Sequence, residues 1–239
     1  MRHTSKPAAH EIWVCHLGRL PYGEGVAVQE DLRARRQAGE LPDLLLLLEH
    51  PPTYTVGRRA AAEELPFPPE FYAAKGIEVH PTDRGGRITY HGPGQLVGYP
   101  IMAVPDVIEH LRTMESAIAV ALAQVGVQAR GRVEDGPDYT GVWAGERKIA
   151  SLGVHISRGV STHGFAVNVE NDLEPFGWVV ACGLPDVQMT SLASEAPGVE
   201  GLACFRKRMA YAFCEAHGAR QRLVTPSRLG IETRVAVPA

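Results

Sequence analysis

Apolar and polar positions along this chain alternate, cluster and repeat in ways that mark short strands and a few helices. "EIWVCHLG" (residues 11–18) has the pattern of a half-buried strand. "GEGVAVQEDLRARRQAG" (23–39) repeats like an amphipathic helix that stops at Gly39. "DLLLLLEH" (43–50) is the unbroken apolar run of a strand in the middle of a sheet. It ends at His50-Pro51-Pro52, because proline cannot continue a ladder. "PPEFYAAKG" (68–76) predicts a short helix with proline in its first turn and Gly76 at its end. "IEVHPT" and "GRITYH" then read as strands around a turn.

Asp106 to Gly126 gives the clearest helix. Asp106 is placed to cap it, and Ile108, Leu111, Ile118, Leu122 and Val125 form one apolar stripe. Residues 139–169 predict a meander of three strands, with turns at Ala144-Gly145-Glu146 and Ser157-Arg158-Gly159. A last helix is expected from Gly198 to His217, burying Leu202, Phe205, Met209 and Phe213. The tail after Arg220 has no strong pattern and is expected to be loosely attached. No repeat or linker interrupts the chain, so 1–239 reads as one domain. Clustered strands with few helices point to an α+β fold with a mixed, mostly antiparallel sheet flanked by helices.

Composition narrows the function classes. The chain has 239 residues, 45% apolar, and a net charge of −3, so nothing marks it as a polycation for nucleic acid. The longest apolar run, five leucines at 44–48, is far short of the ~20 residues that span a bilayer. "MRHTSKPAAHE" lacks the apolar core of a signal peptide, so a cytoplasmic protein is expected. The four cysteines (15, 182, 204 and 214) show no Cys-x-x-Cys spacing, and the ten histidines form no metal signature. A metal-free site is expected. Cys15, Cys204 and Cys214 lie in strand or helix patterns and read as core residues.

Three stretches carry candidate chemistry. "RGGRITYHGPGQLVGYP" (84–100) holds five glycines, but not in G-x-G-x-x-G order, and strand-like residues follow it rather than a helix. It reads either as two turns or as backbone brought close to a ligand, with Arg84, Tyr90 and His91 at the wall. In "GERKIASLGV", strand parity groups Lys148 with Ala150, Leu152 and Val154. A strand-end lysine that snorkels to solvent is the commoner case. A lysine buried there would become a proton carrier. His163 and Asn168 lie on the next strand, where packing is the commoner role for a histidine. The arginines at 33–36 and 58–59 read as solvated faces. Cys182 ends the apolar run "GWVVAC" between small residues, ahead of Leu184-Pro185. Residue types alone leave nucleophile and core filler in balance.

Taken together, "EHPPTYTVGRR", "RGGRITYHGPGQLVGYP", "GVWAGERKIASLGVHISRGVSTHGFAVNV" and "ACGLPDVQMTSL" resemble the octanoyltransferase family of lipoate synthesis, in the family's order from residue 49 to 192. The resemblance implies a core shared with biotin protein ligases and lipoate ligases. It implies transfer of an octanoyl group from octanoyl-acyl carrier protein to a lysine of lipoyl domains, those of 2-oxoacid dehydrogenases and the glycine cleavage H protein. No ATP, cofactor, nucleic acid or membrane is implied. By motif position, Cys182 would be the thioester-forming nucleophile and Lys148 its general acid and base. Arg84, Gly85, Gly86, Arg87, Ile88, Thr89, Tyr90 and His91 would line the substrate pocket. Ser151, Leu152, Gly153, Gly164, Phe165 and Ala166 would complete it, with His50 near the thiol. One departure is Ala181, where the family usually has proline before the cysteine. The alternatives are an ATP-dependent ligase on the same fold and a catalytically idle binding module.

Overall fold

A computed structural model describes residues 10–184 and 186–232. The N-terminal segment read for a leader therefore lies almost wholly outside the described residues, as does Pro185. In chain order the elements begin with β1 (Glu11–Arg19), α1 (Tyr22–Gln37), β2 (Asp43–Glu49), β3 (Thr53–Val56) and α2 (Pro69–Ala74). β4 (Glu78–Pro81), β5 (Ile88–His91), β6 (Gln95–Ile101), α3 (Val107–Ala123) and β7 (Arg130–Gly131) follow. Then come β8 (Gly141–Ala144), β9 (Arg147–Ser157), β10 (Val160–Asn168), β11 (Gln188–Met189), α4 (Leu192–Glu195), α5 (Leu202–Ala216) and β12 (Arg220–Val224).

The main sheet runs β12-β1-β2-β6-β10-β9-β8-β7, with β11 paired to the start of β9. β1 is parallel to β2 and β12, and the β2–β6–β10–β9–β8–β7 pairs are antiparallel. The five leucines of β2 explain why its run is unbroken. Leu45 and Leu47 face Met114 and Ile118 of α3 and Phe205 of α5, whereas Leu44, Leu46 and Leu48 face Leu32 of α1, Val97 and Tyr99. A strand covered on both faces has no solvated side to alternate with. The predicted meander is present as β8–β9–β10, and Arg158 and Gly159 turn it with φ of 46° and 76°. Among the described residues no helix is long and apolar enough to cross a membrane.

Several expectations are corrected. β4 and β5 do not pair with each other. Both lie on β3, β4 in parallel, making a second sheet whose middle strand, "TYTV", had no turn residues to set it off after Pro52. Asp106 does cap α3, accepting from the N–H groups of Ile108 and Glu109. Ile108, however, is 60% exposed, and burial along α3 begins at His110. The last helix starts at Leu202 rather than Gly198, where φ is 80°. Cys15 and Cys214 are buried as expected, with burial pushing their thiols up to about 12 and about 11, but Cys204 is exposed on α5.

The tail is not loosely attached over its described part. β12 extends the main sheet beside β1, Leu229 is fully buried among the α1-side leucines, and Arg35 Nη1 donates to the Leu229 carbonyl at 2.6 Å. Leu229→Ala should therefore lower stability by about 2–4 kcal/mol. Urea unfolding checks this, and an unchanged midpoint would mean that the tail adds nothing to the core.

Candidate active site

β8 begins opposite Ser151, at Gly141, so from Leu152 onward the outer edge of β9 has no neighbouring strand among the described residues. The Arg84–Gly86 turn approaches that edge, and Gly85 N–H donates to the Val154 carbonyl at 2.9 Å. A side chain at Gly153 would meet the Gly85 carbonyl at 2.7 Å, so the approach requires glycine there. The missing strand leaves a cavity of about 300 Å³ in the sheet edge. Its floor is residues 151–154 of β9 and 163–166 of β10. One wall is the segment from Arg84 to His91, and the rim includes Val107, Ile108 and Leu111 near the start of α3.

Lys148 and Cys182 meet in this cavity. Lys148 is 1% exposed, so it is not the snorkelling lysine that its strand-end position favours. Trp143 sits opposite it on β8, with Nζ 5.2 Å from the ring centroid. Gly141 makes room for the stem, since a Cβ there would stand 2.6 Å from Lys148 Cε. Nζ donates to Cys182 Sγ at 3.3 Å, and Ser151 Oγ is 3.8 Å from the same sulfur.

The sulfur is aimed by its loop. Cys182 has φ 58° and ψ 11°, and Gly183 has φ 71°. Two successive left-handed residues fold the chain back tightly, at a cost of roughly 1–2 kcal/mol for the non-glycine residue. Surrounding contacts hold the loop in place. Ala181 is buried with Tyr54 and Phe176, Val180 N–H donates to the Glu64 carbonyl, and Arg87 lies against Gly183. Arg87 is itself ion-paired to Glu64, while Asp138 across the rim pairs with Arg59 at 3.1 Å. Ala181 puts no ring restriction on its own φ, so these contacts set the thiol's position.

Of the residues expected at the pocket, the wall and floor residues meet in one cavity with Lys148 and Cys182, except Tyr90 and His50. Strand parity places Thr89 and His91 toward the cavity and turns Tyr90 away, against Tyr54 and Phe176. His50 stands one layer back. Its Nδ1–H donates to the Leu20 carbonyl at 2.6 Å, and its Nε2 accepts from the Tyr99 hydroxyl at 2.7 Å. Sequence reading missed Tyr22, Tyr99 and the rim residues, which no local pattern marks. His163, read as a packing residue, also lines the cavity with φ 56°, its Nε2 2.8 Å from Asp83. Gly164 beside it was the available signal.

A neutral hydrogen-bond chain backs the cavity. Gln95 Nε2 donates to the Tyr90 carbonyl and to Asn168 Oδ1, which leaves Gln95 Oε1 to accept from His91 Nδ1–H at 2.8 Å. Burial lowers His50 to about 4 and His91 to about 3, so both are uncharged at neutral pH. The two rings are 5.7 Å apart, so a proton on one would be repelled by a proton on the other.

Residues 21–214 match the lipoyl protein ligase A/B catalytic domain. The octanoyltransferase of Solibacter usitatus is 47% identical over 75% of this chain and 83% of its own length. That of Acidothermus cellulolyticus is 48% identical over 75% and 80%. Among solved structures, a lipoate-protein ligase A bound with ATP has a TM-score of 0.75 at 22% identity, covering 90% of this chain and 89% of its own. A putative lipoate protein ligase from Thermoplasma acidophilum has 0.71 at 21%, covering 90% and 88%. The chain belongs to the lipoyl protein ligase A/B catalytic-domain family and, within it, to the octanoyltransferases.

The histidines carry a pH dependence. Their folded values lie below the unfolded value near 6.5, so the unfolded chain binds more protons as pH falls through 6.5. Stability is intact above that pH and drains below it. Between pH 6.5 and 5 the loss should be about 2 kcal/mol for each histidine. Urea titrations at pH 7 and pH 5 measure it, and equal midpoints would mean that these rings accept protons in place.

Proposed function

We propose that this octanoyltransferase moves its acyl group through a thioester on Cys182, from octanoyl-acyl carrier protein to a lysine amine of lipoyl domains. Those domains are the ones of 2-oxoacid dehydrogenases and the glycine cleavage H protein. The reading takes the whole chain as one catalytic domain working in the cytoplasm without ATP or cofactor. The observation that carries it is the 3.3 Å contact between Lys148 Nζ and Cys182 Sγ inside the cavity. A free cysteine is only a few per cent thiolate at neutral pH and needs a partner for its proton. Here the amine is in hydrogen-bond contact with the sulfur and has no ion-paired carboxylate among the described residues to compete for it.

The reaction then divides into two steps. The Cys182 proton passes to Lys148, the sulfur attacks the donor thioester carbonyl, and the carrier's thiolate leaves with the proton from Lys148. One thioester is exchanged for another at little net cost. The acceptor amine next attacks the Cys182 thioester. Lys148 takes the amine's proton, the C–S bond breaks, and the amide and the thiol-lysine pair remain. A position between the two substrates lets one amine serve as acid and then as base. Leu152 and Phe165 on the floor, with Val107 and Leu111 at the rim, suit the aliphatic chain. Each methylene buried there would add about 0.8 kcal/mol to binding.

The test is intact-protein mass after mixing with octanoyl-acyl carrier protein and quenching in acid. Wild type should gain one octanoyl group, and Cys182→Ala none. Lys148→Met should lower overall transfer by about 10²–10⁴-fold, the usual size of an acid–base contribution. An adduct that persists in Cys182→Ala would overturn the thioester route. Adenylate formed from octanoic acid and ATP would make the chain a ligase. Silence in both assays would make it a binding module.

A further inference from the structure

Arg84 is a buried cation that the fold leaves without a counter-charge. It is 7% exposed, and every acceptor it has is neutral. Nε donates to Thr55 Oγ1 at 3.2 Å, and Nη2 to Thr55 Oγ1, the Thr55 carbonyl and the Arg87 carbonyl at 2.8, 2.6 and 2.7 Å. Nη1 donates to the Gly85 carbonyl at 3.0 Å. Among the described residues no carboxylate lies within ion-pair distance of it. The adjacent Asp83 is turned to His163 and His155 instead. Burying a charge with no opposite charge is expensive, and arginine cannot escape by losing its proton.

The guanidinium lines the same cavity as Cys182. Ser151 Oγ is 3.8 Å from the sulfur, and two residues along β9 a side chain at Gly153 would stand 3.5 Å from Arg84 Nη1. Those two positions lie on one face of β9, which sets the guanidinium and the sulfur at neighbouring places along the same cavity. Other charges near the thiol loop are already matched, Arg87 by Glu64 and Arg59 by Asp138. Lys148 is the remaining cation at the sulfur, with neutral His91 and the Asp83-paired His163 further along the cavity.

We propose that Arg84 is an electrostatic positioning residue whose missing counter-charge is the Cys182 thiolate, so that two cations, Lys148 in contact and Arg84 at a distance, hold the negative sulfur. Burial lowers Arg84 from its ordinary value, and Tyr22, Cys182 and Tyr99 are the groups that draw it back up. The proposal rests on Cys182 being the working thiol, but its test needs no acyl donor. A thioester that never forms would therefore leave the result readable.

The experiment is the pH profile of Cys182 alkylation by iodoacetamide, read by peptide mass because Cys204 is also exposed. One unit charge ~8–12 Å away across such a cavity, at an effective dielectric of ~20, corresponds to a shift of about one to one and a half pH units. Arg84→Met should move the midpoint up by that amount, about 10–30-fold less thiolate at a fixed pH. Arg84→Lys keeps the charge without the five-bonded fork and should stay within about half a unit of wild type. An unmoved midpoint in Arg84→Met, or an equal shift in both variants, would overturn the proposal in favour of a scaffold role. Arg84 also ties Thr55 to the Arg87 carbonyl, so a second measurement leaves it intact. In Lys148→Met, anionic iodoacetate should react faster relative to iodoacetamide than it does with the unfolded chain, because Arg84's field remains. A ratio equal to that of the unfolded chain would overturn the proposal, and this measurement decides the matter if Arg84→Met does not fold.

Discussion

Everything at this site depends on a lysine amine taken out of water beside a thiol. Lys148 is 1% exposed, and its hydrogen-bond acceptor is the Cys182 sulfur, 3.3 Å away. A charged amine buried without a partner would be costly. A thiol and an amine that share one proton avoid that cost, because the pair is neutral overall whichever atom holds the proton. The surroundings serve this contact. Gly141 leaves space for the stem, Trp143 offers its ring to the amine, and the left-handed backbone of Cys182 brings the sulfur into range.

The sheet supplies the place for it. β9 is much longer than β8, and the mismatch opens a gap at the sheet edge instead of a ladder. An open edge normally invites another strand. Here the Arg84–Gly86 turn occupies part of it with a single backbone hydrogen bond, and the rest becomes a cavity reaching from the dyad to the first turn of α3. The exposed Ile108 follows from the same geometry. It is a rim residue of the cavity, so its apolar character has a use other than core packing.

This explains which parts were legible beforehand. Where a segment's own pattern decided its fate, the reading held: the leucine run of β2, the β8–β9–β10 meander and the Asp106 cap. Where long-range pairing decided it, local pattern was silent. "TYTV" becomes a strand because β4 and β5 flank it, and β12 is held by β1, 209 residues away for the Glu11–Arg220 pair. At the site, the motif resemblance brought Cys182 and Lys148 together when neither residue's neighbours could. Parity set Lys148 beside an apolar face, but a strand-end lysine more commonly snorkels to solvent, and residue types left the cysteine undecided. Tyr22 and Tyr99 reach the cavity from α1 and β6, too far apart in sequence for any motif to join them.

The likeness to an ATP-bound lipoate ligase separates fold from chemistry. The two chains superpose over 90% of this one at 22% identity, so the sheet and helices do not by themselves choose between activating a free acid and transferring an acyl group. A buried lysine has uses in either reaction, since it can hold an anion or carry a proton. The proposed transfer rests on the sulfur in hydrogen-bond contact with that lysine, 3.3 Å away. The reading therefore turns on the short loop from Val180 to Leu184 and on the residues that fix it: Glu64 through its carbonyl, Arg87 against Gly183, and Ala181 in the core. Changing those contacts would disturb the chemistry while leaving the fold that both enzymes share.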